Sequence, residues 1–123
     1  MTLILVVDDE LALADLLEDA LLDEGFEVLK AGDGLRGLRI AEVHKPDVVV
    51  TDFMMPVKTG LELAEDLRSD PELRAIPVIL MTGAQGGVAG KRTDLFRAVL
   101  NKPYKLEAMV DTIMHSCEQD PWR

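Results

Sequence analysis

The sequence predicts an α/β fold: a doubly wound, five-stranded parallel sheet with helices on both faces, built as five strand–helix units. Three observations carry this expectation. Short runs rich in Val, Ile and Leu recur along the chain, and apolar residues at helical spacing fill the stretches between them. Within each run the apolar residues are consecutive instead of alternating, the pattern of strands buried on both faces.

The elements follow in order. Residues 3–7, LILVV, form the first strand. Leu13, Leu16, Leu17, Ala20 and Leu21 then fall at i, i+3, i+4, i+7 and i+8, one stripe of an amphipathic helix that Gly25 stops. Residues 26–31 make a weaker second strand, Asp33-Gly34 a turn or helix cap, and Leu35, Leu38 and Ala41 mark the second helix. His44-Lys45-Pro46 breaks that helix, and residues 47–52 are the third strand. Thr59 and Glu62 have capping-box spacing; Leu61, Ala64 and Leu67 give the third helix its buried side, and Asp70-Pro71 ends it. Residues 76–82 and 98–100 supply strands four and five, and Leu106, Met109, Val110, Ile113 and Met114 repeat the helical stripe. Glycines 83, 86, 87 and 90 lie between those last two strands. Each disfavours a helix by about 1 kcal/mol relative to alanine, so the helix expected there is short and begins near Lys91.

Composition bounds the function. A chain of 123 residues suits one domain, expected to span 1–123, and 48% hydrophobic residues suffice for a real core. With 23 acidic and 13 basic side chains the formal net charge is −10, which disfavours nucleic acid or an anionic membrane surface as a direct partner. Cys117 is the one cysteine, so no internal disulfide and no thiolate-based zinc site can form. The opening MTLILVVDDE has no basic leader, and no apolar stretch approaches a membrane span. These features lead to the expectation of a soluble, cytoplasmic domain with no membrane insertion.

The chemistry gathers at the strand ends. In parallel α/β sheets, ligands bind in the crevice outside the carboxyl ends of the strands. Here those ends carry Asp8-Asp9, Asp52, Thr82 and Lys102-Pro103. Converging carboxylates raise one another's pKa unless a cation sits among them, and Mg²⁺, a hard ion that takes oxygen ligands and keeps some water, suits such a place. A carboxylate beside Mg²⁺, an ammonium and a hydroxyl is equipped to attack a phosphoryl group, with Asp52 as nucleophile.

VVDDE at 6–10, DVVVTDFMMP with Gly60 beyond it, PVILMTG at 77–83 and the NKPY run around Lys102 resemble the response-regulator receiver domain over essentially the whole length. The resemblance implies a flavodoxin-like sheet of order 2-1-3-4-5. It implies that Asp52 is the phosphoacceptor, that Asp9 binds Mg²⁺ (or Mn²⁺ in its place) directly and Asp8 largely through water, and that the main-chain carbonyl of Met54 is a further ligand. Lys102 would pair with the phosphoryl group, Thr82 would hydrogen-bond it, and the Lys102-Pro103 bond would be cis. The partners implied are a histidine kinase or histidine phosphotransfer protein as donor and a downstream protein target, with a homodimer through the fourth helix, fifth strand and last helix open. Such a chain acts as a switch, as a phosphate relay or sink, or as an interaction module independent of phosphorylation; it is not a turnover enzyme. A metal-dependent aspartyl phosphatase would want an acid/base carboxylate soon after Asp52, where Phe53-Met54 stand, and a flavin protein a hydroxyl- and glycine-rich loop where Asp8-Asp9-Glu10 stand.

Two departures from the family pattern matter. Val99 occupies the position where receivers usually carry an aromatic residue, so signalling is expected to run through the glycine-rich segment after Thr82. Met54 and Ala84 stand where other members place polar groups that position a hydrolytic water, so self-dephosphorylation is expected to be slow. The acidic residues of the first helix, Glu10 and Asp15 among them, read as a solvated face, as do Lys58, His44 and His115; Cys117 reads as an inert thiol, and the sequence leaves open whether Trp122 packs on the last helix or meets a partner.

Overall fold

The computed structural model describes residues 2–83, 92 and 94–118. Its elements are β1 (Leu3–Val7), α1 (Leu11–Asp23), β2 (Glu27–Ala31), α2 (Gly34–His44), β3 (Val48–Asp52), α3 (Gly60–Ser69), β4 (Val78–Thr82), β5 (Ala98–Asn101) and α4 (Leu106–Glu118). The five strands form one parallel sheet in the order β2-β1-β3-β4-β5. The helix expected near Lys91, along with Ala84 and Trp122, lies outside the described residues.

Consecutive apolar residues build a core on each side of the sheet. Leu5, Val7, Val49, Val78 and Leu80 pack with Ala41 of α2 and Leu63, Ala64 and Leu67 of α3. Their strand neighbours Ile4, Val6, Val48, Val50, Ile79 and Met81 face the other way, onto Ala14, Leu17 and Leu21 of α1 and Met109 and Ile113 of α4. Each such large side chain, fully buried, stabilises the fold by about 1.5–3 kcal/mol relative to an exposed one.

Helix boundaries follow local chemistry. Gly25, at φ +89°, lets α1 close with Gly25 N–H donating to Leu22 O and Phe26 N–H to Leu21 O, a Schellman arrangement. Asp33 caps α2 by accepting from Arg36 N at 2.8 Å. Lys45, left-handed at φ 47°, ends it ahead of Pro46. The capping box of α3 is complete: Thr59 Oγ1 accepts from Glu62 N, and Glu62 Oε1 from Thr59 N. Beyond α3, Arg68 donates to the carbonyls of Arg74, Ile76, Asp94 and Leu95, so one guanidinium fastens both the approach to β4 and the approach to β5.

The α1 face differs from the sequence expectation. Ala14, Leu17 and Leu21 face the core, while Leu16 is 57% exposed and Leu13 only partly buried. A small residue at 14 lets the helix lie close on the sheet. Leu13 and Leu16 instead line a groove of about 400 Å³ with Lys102, Pro103, Tyr104 and Leu106.

The loop after β3 is fixed from both sides. A Cβ on Gly34 would come within 2.3 Å of the Lys58 carbonyl oxygen, and one on Gly60 within 2.2 Å of the Asp52 carbonyl oxygen. Between these contacts Val57 has φ +70°, a strained conformation for a β-branched residue. Its side chain and that of Met54 are exposed.

Candidate functional site

The site lies at the carboxyl edge of the sheet. Asp8 directly follows β1, Asp52 ends β3, Thr82 ends β4 and Lys102 follows β5. Parallel pairing places these ends side by side, and two main-chain bonds tighten the edge. Asp8 N–H donates to Ala31 O at 3.0 Å, and Lys102 N–H to Thr82 O at 2.8 Å. The Lys102-Pro103 bond is cis, as the family resemblance implies.

Asp52 is almost fully buried, and both of its oxygens are engaged. Oδ1 accepts from Phe53 N at 2.9 Å, and Oδ2 accepts from Lys102 Nζ at 2.9 Å. Asp8 is buried too, with Oδ1 accepting from Glu10 N at 2.9 Å. Burial pushes the Asp8 carboxyl above its usual range, against the opposing pull of the Glu10 N–H and the Lys102 charge. For Lys102, burial works against the ammonium, but the hydrogen bond to Asp52 and the charges of Asp8, Asp52 and Glu10 outweigh it and hold the pKa above its usual value. Tyr104, half-buried beside these groups, is raised by burial and then by the Asp8 charge.

The structure thus brings together Asp8, Asp52 and Lys102. Thr82 is buried at the same edge, its Oγ1 donating to Gly83 O at 3.2 Å. Asp9 is exposed, and the compact carboxylate group does not include it. The group is completed by Glu10: one oxygen each from Asp8, Glu10 and Asp52 lie within 4.8 Å of one another. Glu10 also reaches Lys102, at 3.8 Å. The sequence reading missed this residue. Its signal is indirect: Glu10 stands at the N-cap of α1, yet its side chain caps nothing and is left for the site.

Lys58 is not a free solvated lysine either. It is half-buried and pairs with Asp66 at 2.5 Å, which raises its pKa. His44 and His115 are exposed, and Cys117 is buried against α4's core neighbours.

The donor set fits a hard divalent cation. All three acids offer oxygen, and neighbouring oxygens around an octahedral Mg²⁺ stand about 3 Å apart, so a group whose oxygens lie within 4.8 Å of one another needs modest closure or an intervening water to hold the ion. Three carboxylates against one ammonium also leave the pocket with surplus negative charge that such an ion would neutralise. No described helix is long and apolar enough to cross a membrane.

Comparison with known proteins shows the family and the fold. The family model of the response regulator receiver domain matches residues 4–114. The chain is 31% identical over 112 residues to the polar-differentiation response regulator DivK of Brucella anthropi, covering 89% of this chain and 91% of that one. Among solved structures, a response regulator receiver domain protein of Clostridium thermocellum superposes with a TM-score of 0.89 at 26% identity, covering 97% of this chain and 96% of that one. The chemotaxis response regulator CheY4 of Vibrio cholerae superposes with a TM-score of 0.84 at 28% identity, covering 94% and 98%. A flavodoxin-like sheet whose strand ends bring acids and a lysine together, matched over nearly its full length, makes the chain a member of the response regulator receiver domains of two-component signalling.

Proposed function

We propose that the chain, as a single receiver domain over 1–123, is a phosphorylatable switch in which Asp52 accepts a phosphoryl group from a phosphohistidine of a histidine kinase or phosphotransfer protein. The observation that carries this reading is the 2.9 Å contact between Lys102 Nζ and Asp52 Oδ2, inside a pocket that also holds the Asp8 and Glu10 carboxylates. The Phe53 N–H fixes Oδ1, so the carboxylate enters the reaction already oriented.

In the transfer, an Asp52 oxygen forms a bond to phosphorus as the phosphorus–nitrogen bond breaks. The imidazole leaves with that electron pair and regains a proton from solvent when needed. Lys102 stays with the transferring oxygens, and Thr82, by turning its hydroxyl from Gly83 O, donates to them. Asp8, Asp52, the Met54 carbonyl and Asp9 at the rim are the groups assigned to hold Mg²⁺. When bound, the ion supplies positive charge for the phosphoryl oxygens. The groove beside Lys102, walled by Leu13, Leu16, Pro103 and Leu106, gives a helical donor an apolar seat next to the acceptor.

Output then follows through contacts with a downstream protein. Position 99, on β5, holds Val99 packed into the core on one side of the sheet and no aromatic ring to follow Thr82, which supports signalling through the segment after Thr82. Lacking a polar side chain at Met54, the phosphorylated form hydrolyses slowly; an acyl-phosphate half-life of minutes or longer is expected, and one of seconds would count against it. The direct test of function is mass spectrometry after treatment with acetyl phosphate and Mg²⁺. A gain of one phosphoryl group is expected in the wild type and none in Asp52→Asn; equal labelling of both would overturn the assignment.

A further inference from the structure

We infer that Glu10 is a positioning residue that acts on phosphoryl acceptance at Asp52 in two opposite senses, strengthening cation binding while repelling the anionic donor and drawing on Lys102. The inference rests on the function proposed above. It starts from two contacts that involve different groups. Glu10 places an oxygen within 4.8 Å of those of Asp8 and Asp52, and Glu10 Oε1 lies 3.8 Å from Lys102 Nζ, the group that also bonds Asp52.

The backbone explains why Glu10 is there. Its N–H is held by Asp8 Oδ1, and its carbonyl accepts from Leu13 N and Ala14 N as α1 begins. With the main chain fixed and no capping bond for the side chain, the carboxylate is left over the mouth of the pocket. Its side chain is 60% exposed, against 9% for Asp52, so Glu10 forms the outer wall and Asp52 the floor.

A carboxylate in that place acts in two opposite ways. Toward a divalent cation it is a third negative oxygen, bound directly or through water. Toward the dianionic phosphoryl group of a donor it is repulsive, and it draws on the same lysine that the phosphoryl oxygens need. Neutralising Glu10 alone therefore separates two quantities that a merely structural residue would move together or not at all.

The experiment uses Glu10→Gln in the full chain, with circular dichroism to confirm folding. Calorimetric titration with Mg²⁺ should give a Kd about tenfold weaker than wild type, the size seen when a supporting group of a metal site is lost. Phosphorylation by acetyl phosphate at saturating Mg²⁺ should become about threefold faster, and both differences should shrink as salt screens an exposed charge. A Mg²⁺ Kd within twofold of wild type overturns the inference, and so does a saturated rate equal to or below wild type. If the wild type itself binds no Mg²⁺, or Asp52→Asn is still labelled, the proposed function fails instead, and the two failures are told apart.

Discussion

Replacing Gly60 with alanine tests how tightly α3 is set against the acceptor. A Cβ there would lie 2.2 Å from the Asp52 carbonyl oxygen, 3.1 Å from its carbon and 3.2 Å from Phe53 Cα. Ordinary carbon–oxygen contact needs roughly 1 Å more room, and none of these atoms belongs to a side chain that can rotate aside. The surroundings resist movement, because Gly60 N–H donates to Phe53 O at 2.9 Å and Phe53 N–H donates to Met81 O at 2.9 Å. Forcing extra volume into packed structure costs about 1–3 kcal/mol, and alanine returns up to about 1 kcal/mol through helix propensity. The expected net loss is about 2 kcal/mol, which for a domain of this size lowers Tm by roughly 8 °C. Since Phe53 N–H also holds Asp52 Oδ1, labelling by acetyl phosphate should slow about tenfold. Thermal unfolding followed by circular dichroism measures the first effect and intact mass over time the second. Gly32→Ala is the control, since a Cβ there meets nothing within 4 Å and its Tm should stay within about 2 °C of wild type. A Gly60→Ala variant as stable as Gly32→Ala would refute the steric argument.

Three further outcomes are expected. Arg68→Met strips the partly buried carbonyls of Ile76 and Leu95 of a charged donor and should lower the unfolding free energy by about 2–3 kcal/mol in urea titration, with Arg68→Lys recovering only part of it. Val57→Gly relieves a left-handed β-branched residue and, after the greater unfolded-state freedom of glycine is subtracted, should raise stability by about 1 kcal/mol; a lower urea midpoint is the contrary result. Thr59→Ala removes half of the α3 capping box and should cost about 1 kcal/mol at pH 7. Its partner Glu62 is held below the usual carboxylate range by the Thr59 N–H, so its share of stability is present above the unfolded-state pKa and fades as pH falls through the lower folded one. The Tm gap between wild type and Glu62→Ala should therefore narrow in strong acid, and a gap that widens there contradicts the capping account.

Much of this architecture could be read from local pattern. The strands were legible because five consecutive apolar residues, as at 3–7, suit nothing so well as a strand covered on both faces. The capping box at Thr59 and the stop at Gly25 were legible because each is complete within a few residues. Asp52, Lys102 and Asp8 were legible because strand ends in a parallel sheet share one edge. The face of α1 was not: leucines at 11, 13, 16, 17, 21 and 22 surround that helix, so spacing alone could not distinguish the core side from the groove side. Glu10 was missed for a related reason. Beside Asp15 and Glu18 it looks like one more solvated acid, and only the approach of Lys102, from the far end of the chain, gives it a role. Lys58 was misjudged because its partner Asp66 sits two turns along a helix whose orientation the sequence does not state.

The segment clamped between Gly34 and Gly60 works as a rigid ledge. Its main chain is braced by the starts of two helices, while the side chains of Met54 and Val57 stand out from it, free of the core beneath. Recognition surfaces built on pliable loops trade binding against folding whenever a residue is exchanged. At Met54 those two costs are uncoupled, so the vocabulary displayed there beside Asp52 can be rewritten, by drift or by design, without renegotiating the scaffold, whereas at Val57 the left-handed backbone keeps them joined.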